Sequence, residues 1–134
     1  MKKRCEGMTL VEIMIASLVF LIVSITFAAA LIGALRTAYM ASDYYAATSI
    51  ARNRLQRAKS MDFDSIPLLV ETNTVVDSLG IAATDGRYLR TTEVSNAAPW
   101  TYWIKVSVAF PMKSGFSPEP IEMETLINNQ MLSN

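Results

Sequence analysis

Apolar residues follow three successive patterns along this chain, and each pattern predicts a different element. Residues 13–35 contain no charged side chain, and their only hydroxyls are Ser17, Ser24 and Thr26. As an α-helix this stretch is about 34 Å long, enough to cross a hydrocarbon core of about 30 Å. Serine and threonine are tolerated there because their hydroxyls bond back to carbonyls of their own helix. Beyond Leu35 the pattern becomes amphipathic. Tyr44, Ala47, Ala51, Leu55 and Ala58 recur at three- and four-residue steps, while Arg52, Asn53, Arg57 and Lys59 fall mainly off that stripe. One long helix is therefore expected from about Thr9 to about Met61. It ends at Asp62-Phe63-Asp64-Ser65, ahead of Pro67, which cannot continue a helix.

The third pattern is alternation. Residues 87–94, 100–110 and 121–127 read as strands. In the second of these, Trp100, Tyr102, Ile104, Val106, Val108 and Phe110 face one way, and Thr101, Trp103, Lys105 and Ser107 the other. Residues 68–87 read as loop with room for one short strand, Asp85-Gly86 as a turn, and 111–120, with three prolines and Gly115, as an exposed loop. The spacing predicts an antiparallel meander with one face on the helix, and Lys105 near Glu122 or Glu124. The fold class expected is α+β: a long N-terminal helix packed on a small antiparallel β-sheet head.

Composition narrows the chemistry. The chain has 134 residues, 12 Lys plus Arg against 12 Asp plus Glu, no His and one Cys. Zero net charge gives no reason to expect nucleic acid as a partner. Lacking His, the chain has no imidazole for acid–base catalysis or metal ligation, and Cys5 alone makes neither a disulfide nor a thiolate zinc site. Asp77 and Asp85 are too few and too far apart for a calcium loop. No catalytic set, phosphate loop or cofactor motif is visible, so neither an enzyme nor a cofactor is expected. Arg52, Arg54, Arg57 and Lys59 read as a solvated helix face or as donors to ion pairs between subunits. On the head, Arg87, Arg90, Lys105 and Lys113 are a thin set for binding DNA. Trp100-Thr101-Tyr102-Trp103 reads as core plus one ring, Trp103, available to a neighbour.

Other readings of the apolar run fit less well. A soluble core helix needs more surrounding mass than this chain supplies. A secretory signal peptide has a shorter apolar region of about 7–15 residues and a cleavage site after it. A lipoprotein signal places its Cys after the apolar region, whereas Cys5 precedes it. Lys2, Lys3 and Arg4 lie before the span and only Arg36 close after it, which places the N-terminus in the cytoplasm and the remainder outside.

The border itself reads Lys2-Lys3-Arg4-Cys5-Glu6-Gly7-Met8-Thr9-Leu10-Val11-Glu12-Ile13. A carboxylate on an apolar helix costs about 2.5–3.5 kcal/mol at the bilayer centre and less at the interface. Glu12 therefore either snorkels to the headgroups or meets a cation once helices pack together. A short basic leader, a Gly, an apolar residue, Thr-Leu-Val-Glu and a long apolar run, in this order, resemble the prepilin leader of type IV pilins and type II secretion pseudopilins. The resemblance implies cleavage between Gly7 and Met8 by a prepilin peptidase, N-methylation of Met8, and an assembly role for Glu12 facing the Met8 amine of a neighbouring subunit. It divides the chain into a leader (1–7), a transmembrane and assembly helix (8–35), an amphipathic helix half (36–62) and a β-rich head (63–134).

The chain departs from that family in three ways. Met8 stands where Phe is usual. No Gly lies between Gly7 and Gly33 and no Pro precedes Pro67, so no kink is encoded in the apolar half. Leader removal takes Cys5 with it, leaving no disulfide. The short head, the absence of helix breakers and the missing disulfide favour a minor pilin or minor pseudopilin, initiating or capping a filament, over a major subunit. The implied partners are the prepilin peptidase, sibling pilins or pseudopilins, the inner-membrane assembly platform and membrane lipid. The implied location is the inner membrane, single-pass, with the head in the periplasm. An unprocessed single-pass anchor with a periplasmic binding module, and a DNA-uptake pilin, are the competing readings.

Overall fold

A computed structural model describes residues 9–113 and 115–129. Helix α1 spans Leu10–Ser60 and is followed by a 3₁₀ helix at Phe63–Leu69. Six strands follow: β1 (Glu71–Val76), β2 (Tyr88–Ala98), β3 (Thr101–Ala109), β4 (Pro111–Met112), β5 (Gly115–Phe116) and β6 (Ile121–Asn128). The chain forms two compact units, Met1–Tyr39 and Met40–Asn134. The architecture is the expected α+β one, with α1 close to its expected limits.

In the first unit α1 starts at a cap. The Glu12 amide donates to the Thr9 carbonyl at 3.0 Å and to the Thr9 hydroxyl at 3.3 Å. Thr9 and Glu12 stand at the two ends of a Thr-x-x-Glu capping sequence, and the carboxylate also suits the positive end of the helix dipole. The serine and threonine hydroxyls within α1 in this unit close on their own helix. Ser17 donates to the Ile13 carbonyl and Ser24 to the Phe20 carbonyl, both at 2.8 Å. Thr26 donates to the Ile22 and Val23 carbonyls, and Thr37 to that of Gly33.

The second unit is the head. Its main sheet has the order β1-β2-β3-β6, antiparallel throughout, and β4 pairs with β5 in a separate two-stranded hairpin. Cα partners run Val94↔Ile104 and Ile104↔Thr125, so Val94, Ile104 and Thr125 share the face turned to α1. On that face Val76, Tyr88, Ile104, Val106 and Val108 are buried against Ala47, Ile50, Ala51, Leu55 and Ala58 of α1. Alanines on the helix allow it to approach the sheet closely, and each large side chain fully buried there stabilises the head by about 1.5–3 kcal/mol. The 3₁₀ helix adds Ile66 and Leu69 to the same core.

Several expectations need correcting here. Ile50 belongs to the buried stripe, whereas Tyr44 remains 53% exposed and meets Phe110 edge-on at 6.1 Å. Trp100 does not join the strand. It sits in the Pro99-Trp100 turn between β2 and β3 with φ 62° and its ring exposed. Proline at the first central position and positive φ at the second are the marks of a type II turn, which strains any residue with a Cβ. Residues 111–120 are not simply an exposed loop. They include β4 and β5, and Ser117 is buried, its amide donating to the Phe110 carbonyl at 2.9 Å. Pro67 lies inside the 3₁₀ helix, where the chain continues in tight turns after α1 has ended.

Candidate functional site

Two places combine exposure or charge in a way that packing alone does not require. The first is the apolar half of α1. Its large side chains are all at least half exposed, from Leu10 at 75% through Phe20 at 74% to Leu35 at 51%. None of its most apolar window is buried in the protein, although the helix is long and apolar enough to cross a membrane. With its hydroxyls satisfied internally, this surface can enter lipid without carrying an unpaired backbone or side-chain polar group into it. Glu12 lies in its first turn, and its carboxylate makes no hydrogen bond or ion pair among the described residues. Gly7 and Met8, the expected cleavage and methylation positions, lie outside the described residues.

The second place is an arginine cluster in the head. Arg54, on the sheet-facing side of α1, reaches Glu71 of β1 at 3.0 Å, with side-chain exposures of 11% and 17%. It also donates to the Leu69 carbonyl at 3.0 Å and to the Thr92 hydroxyl at 3.4 Å. Arg90 of β2 holds the same carboxylate with its Nε and Nη2, and its Nη1 donates to the Gly80 carbonyl at 2.7 Å. Thr92 donates to Glu71 at 3.1 Å. Glu71 is therefore shared by two guanidiniums and a hydroxyl. Burial alone would raise its carboxyl, but the hydrogen bond from Arg90, the charges of Arg90 and Arg54, and the Thr92 hydroxyl together hold it below the usual carboxylate range. Arg54 is lowered, by burial first and then by the charge of Arg90, with Glu71 opposing and Arg57 adding to the drop.

A bulge brings Glu71 to this position. Glu71 pairs with Thr92 and Thr74 with Arg90, so three steps along β1 match two along β2. Strict alternation would turn Glu71 and Thr74 to opposite faces. The extra residue, with Asn73 at φ 49°, returns both to the helix side. Simple alternation in the sequence therefore hides the pair. The structure also corrects two expectations: Arg54 is a largely buried ion-pair partner and not part of a solvated helix face, and Arg90 is buried in the same cluster and not available on the head surface.

Beside this pair a cleft of about 160 Å³ is lined by Ile50, Asn53, Arg54, Arg57, Leu79, Gly80, Ile81 and Arg90. Its rim is stiff. The Asp77 carboxylate accepts from the Leu79 and Ile81 amides, both at 2.9 Å, while the Asp77 amide donates to the Ile81 carbonyl. The turn leaves Leu79 and Ile81 pointing outward, 72% and 62% exposed. On the opposite side of the sheet Lys105 pairs with Glu122 at 2.8 Å and stands in register with Glu93 and Glu124. Among the described residues no group of three or more His, Cys, Asp or Glu is placed to hold a metal ion.

The prokaryotic N-terminal methylation motif matches residues 2–34, which cover the basic leader, Gly7, Met8, Glu12 and nearly all of the apolar run. No curated protein and no solved structure gives a match. The matched span ends just before Leu35, so the head enters through its fold, a sheet packed on the second half of the same helix. The motif implies processing by a prepilin peptidase and assembly with other pilins, and together with the exposed apolar helix it points to membrane anchoring. Over residues 2–34 the chain carries the prokaryotic N-terminal methylation motif, which supports a type IV pilin-like or pseudopilin role.

Proposed function

We propose that this protein is a structural subunit of a type IV pilus or type II secretion pseudopilus. It is made as a prepilin, cut between Gly7 and Met8, methylated on Met8 and drawn from the inner membrane into a filament. The observation that carries this reading is the methylation motif over residues 2–34, running into a helix whose apolar side chains are exposed all round. Before assembly that surface needs lipid, and afterwards it needs the equivalent helices of neighbouring subunits. In this scheme the Glu12 carboxylate meets the Met8 ammonium of the next subunit. Each charge is costly alone in a low-dielectric setting and far less so as a pair, which makes the contact a device for setting register.

Within that architecture we place the chain as a minor subunit that initiates or caps the filament. Support comes from its small head and from the lone Cys5, which the leader carries away. The N-terminus lies in the cytoplasm and the head in the periplasm, and the assembly platform and sibling subunits are its partners. The competing anchor reading keeps Gly7-Met8 intact and gives Glu12 no partner.

Glu12→Gln separates the two. The amide preserves side-chain length and the capping sequence but removes the charge. For a filament subunit, insertion and cleavage persist while crosslinking to sibling subunits falls. For an anchor, the change is neutral. Equal crosslinking of wild type and Glu12→Gln at equal membrane levels would overturn the assembly role.

A further inference from the structure

The tip of the β2–β3 hairpin departs from ordinary hairpin chemistry at neighbouring positions. Asn96 pairs with Tyr102 and Ala98 with Thr101, so Ala97 is an extra residue, a bulge in β2. Two-residue hairpin loops favour Gly or Asn wherever φ is positive. Here the loop is Pro99-Trp100, and Trp100 carries φ 62°. A left-handed conformation costs a residue with a Cβ about 1–2 kcal/mol. The indole recovers little of this from the core. It is 54% exposed and lies against no other aromatic ring among the described residues. Packing of the head does not account for a tryptophan at this position.

Trp100 lines an open groove of about 560 Å³, within the range of about 300–1,000 Å³ typical of small-molecule sites. Phe63 and Tyr102 line it too, with ring centroids 4.6 Å apart and planes 31° from parallel. Those two rings are turned to one another, which leaves Trp100 as the ring with a face free for a ligand. The polar lining is Asp64, Asn96 and Thr101. None of these three side chains makes a hydrogen bond or ion pair among the described residues, and Asp64 and Asn96 are exposed. No Lys or Arg lines the groove among the described residues. One free indole face, an acceptor-only carboxylate, an amide that both donates and accepts, and a hydroxyl therefore converge on one space.

We propose that this groove binds a neutral, β-linked glycan chain, with one sugar ring stacked on Trp100 and its hydroxyls bonded by Asp64, Asn96 and Thr101. A β-linked pyranose with equatorial hydroxyls has an apolar C–H face and a polar edge. The C–H face suits the negative face of the indole. The edge hydroxyls donate to the Asp64 carboxylate and exchange hydrogen bonds with Asn96 and Thr101. Charge excludes the anionic alternatives. A phosphate or nucleic acid would meet an unpaired carboxylate with no cation to offset it. An organic cation would draw on several ring faces around it, whereas Phe63 and Tyr102 face each other. The site lies wholly within the head, so the inference goes beyond the filament reading and holds equally for a membrane anchor.

The test titrates the full chain, in a detergent that carries no sugar, with triacetylchitotriose and with cellotriose, reading saturation transfer to the sugar protons by NMR. At least one of them should bind saturably, with a Kd of about 1 mM or below. Trp100→Asn is the diagnostic variant. Asparagine suits the left-handed turn, so the head should unfold at the same temperature or higher, while sugar affinity falls about tenfold or more. A purely structural tryptophan would not separate the two readouts in that way. Asp64→Ala, at an exposed position, should weaken binding about threefold or more with the fold retained, and gives an independent route should Trp100→Asn disturb the head. Trp103→Phe, outside the groove, should leave affinity unchanged. Failure of both sugars to bind, or affinity indifferent to Trp100→Asn and Asp64→Ala, would overturn the proposal. So would tighter binding of trilysine than of either sugar, lost in Asp64→Ala, which would make the groove a cation site.

Discussion

Replacing Glu71 with alanine removes the only carboxylate paired with Arg54 and Arg90 among the described residues. Two guanidiniums, with side chains 11% and 8% exposed, then lose the carboxylate they share, and the Thr92 hydroxyl loses its acceptor. Removing one partner of a buried pair costs about 3–5 kcal/mol, because the remaining charge stays desolvated. The cleft beside Arg57 admits some water to the guanidiniums, which places Glu71→Ala near the lower end, at about 3 kcal/mol. For a head of this size that is a fall of about 12 °C or more in Tm. Trp100 and Trp103 both lie in the head, so thermal unfolding of the full chain in detergent, followed by tryptophan fluorescence, reads it directly. Adding Arg54→Leu to Glu71→Ala should cost less than the sum of the single changes, since the second substitution removes one of the stranded charges. The same carboxyl sets a pH dependence. Its folded pKa lies below its unfolded one, so its contribution is present above the ordinary carboxylate value near 4.5 and is lost as pH falls through the folded value. A Glu71→Ala cost under about 1 kcal/mol, or strictly additive costs, would refute the shared-carboxylate account.

Three further outcomes follow from particular residues. A Cβ at Gly86 would run into the Val76 carbonyl, so Gly86→Ala should destabilise the head by about 2 kcal/mol or more in the same unfolding assay. Trp100 pays left-handed strain in its turn, so Trp100→Asn should raise stability by about 1 kcal/mol, read by the remaining Trp103. A reporter enzyme fused after Asn134 should be active only when it is exported. Activity confined to a cytoplasmic reporter at that position would overturn the proposed topology.

Much of the architecture was legible because its signals are local and periodic. The charge-free run, the three- and four-residue steps of Ala47, Ala51, Leu55 and Ala58, and the alternation around Ile104, Val106 and Val108 each report a face directly. Thr9 and Glu12 also form a capping sequence, a second reason for a carboxylate at that position that can be found from spacing alone. The head's charge cluster was not legible. Arg54 looks like one of several basic residues on a helix until the fold turns it onto the sheet. Glu71 is hidden by the bulge at Asn73, and Arg90 is hidden because a buried arginine looks like any strand cation until its partner is known. Trp100 continues the alternating pattern of β3 by sequence, yet the Pro99-Trp100 turn takes it out of the strand. The matched motif ends before the head begins, so what the head binds has to be argued from its surfaces.

The central claim is that this chain becomes a processed filament subunit, and intact mass tests it most directly. The protein is purified from membranes of cells with and without a prepilin peptidase and weighed whole. The account predicts, with the peptidase present, a chain beginning at Met8 and heavier by one methyl group, and without it a chain that keeps residues 1–7. A single unchanged mass in both cells, still carrying the leader, would contradict the account and leave a membrane anchor in its place.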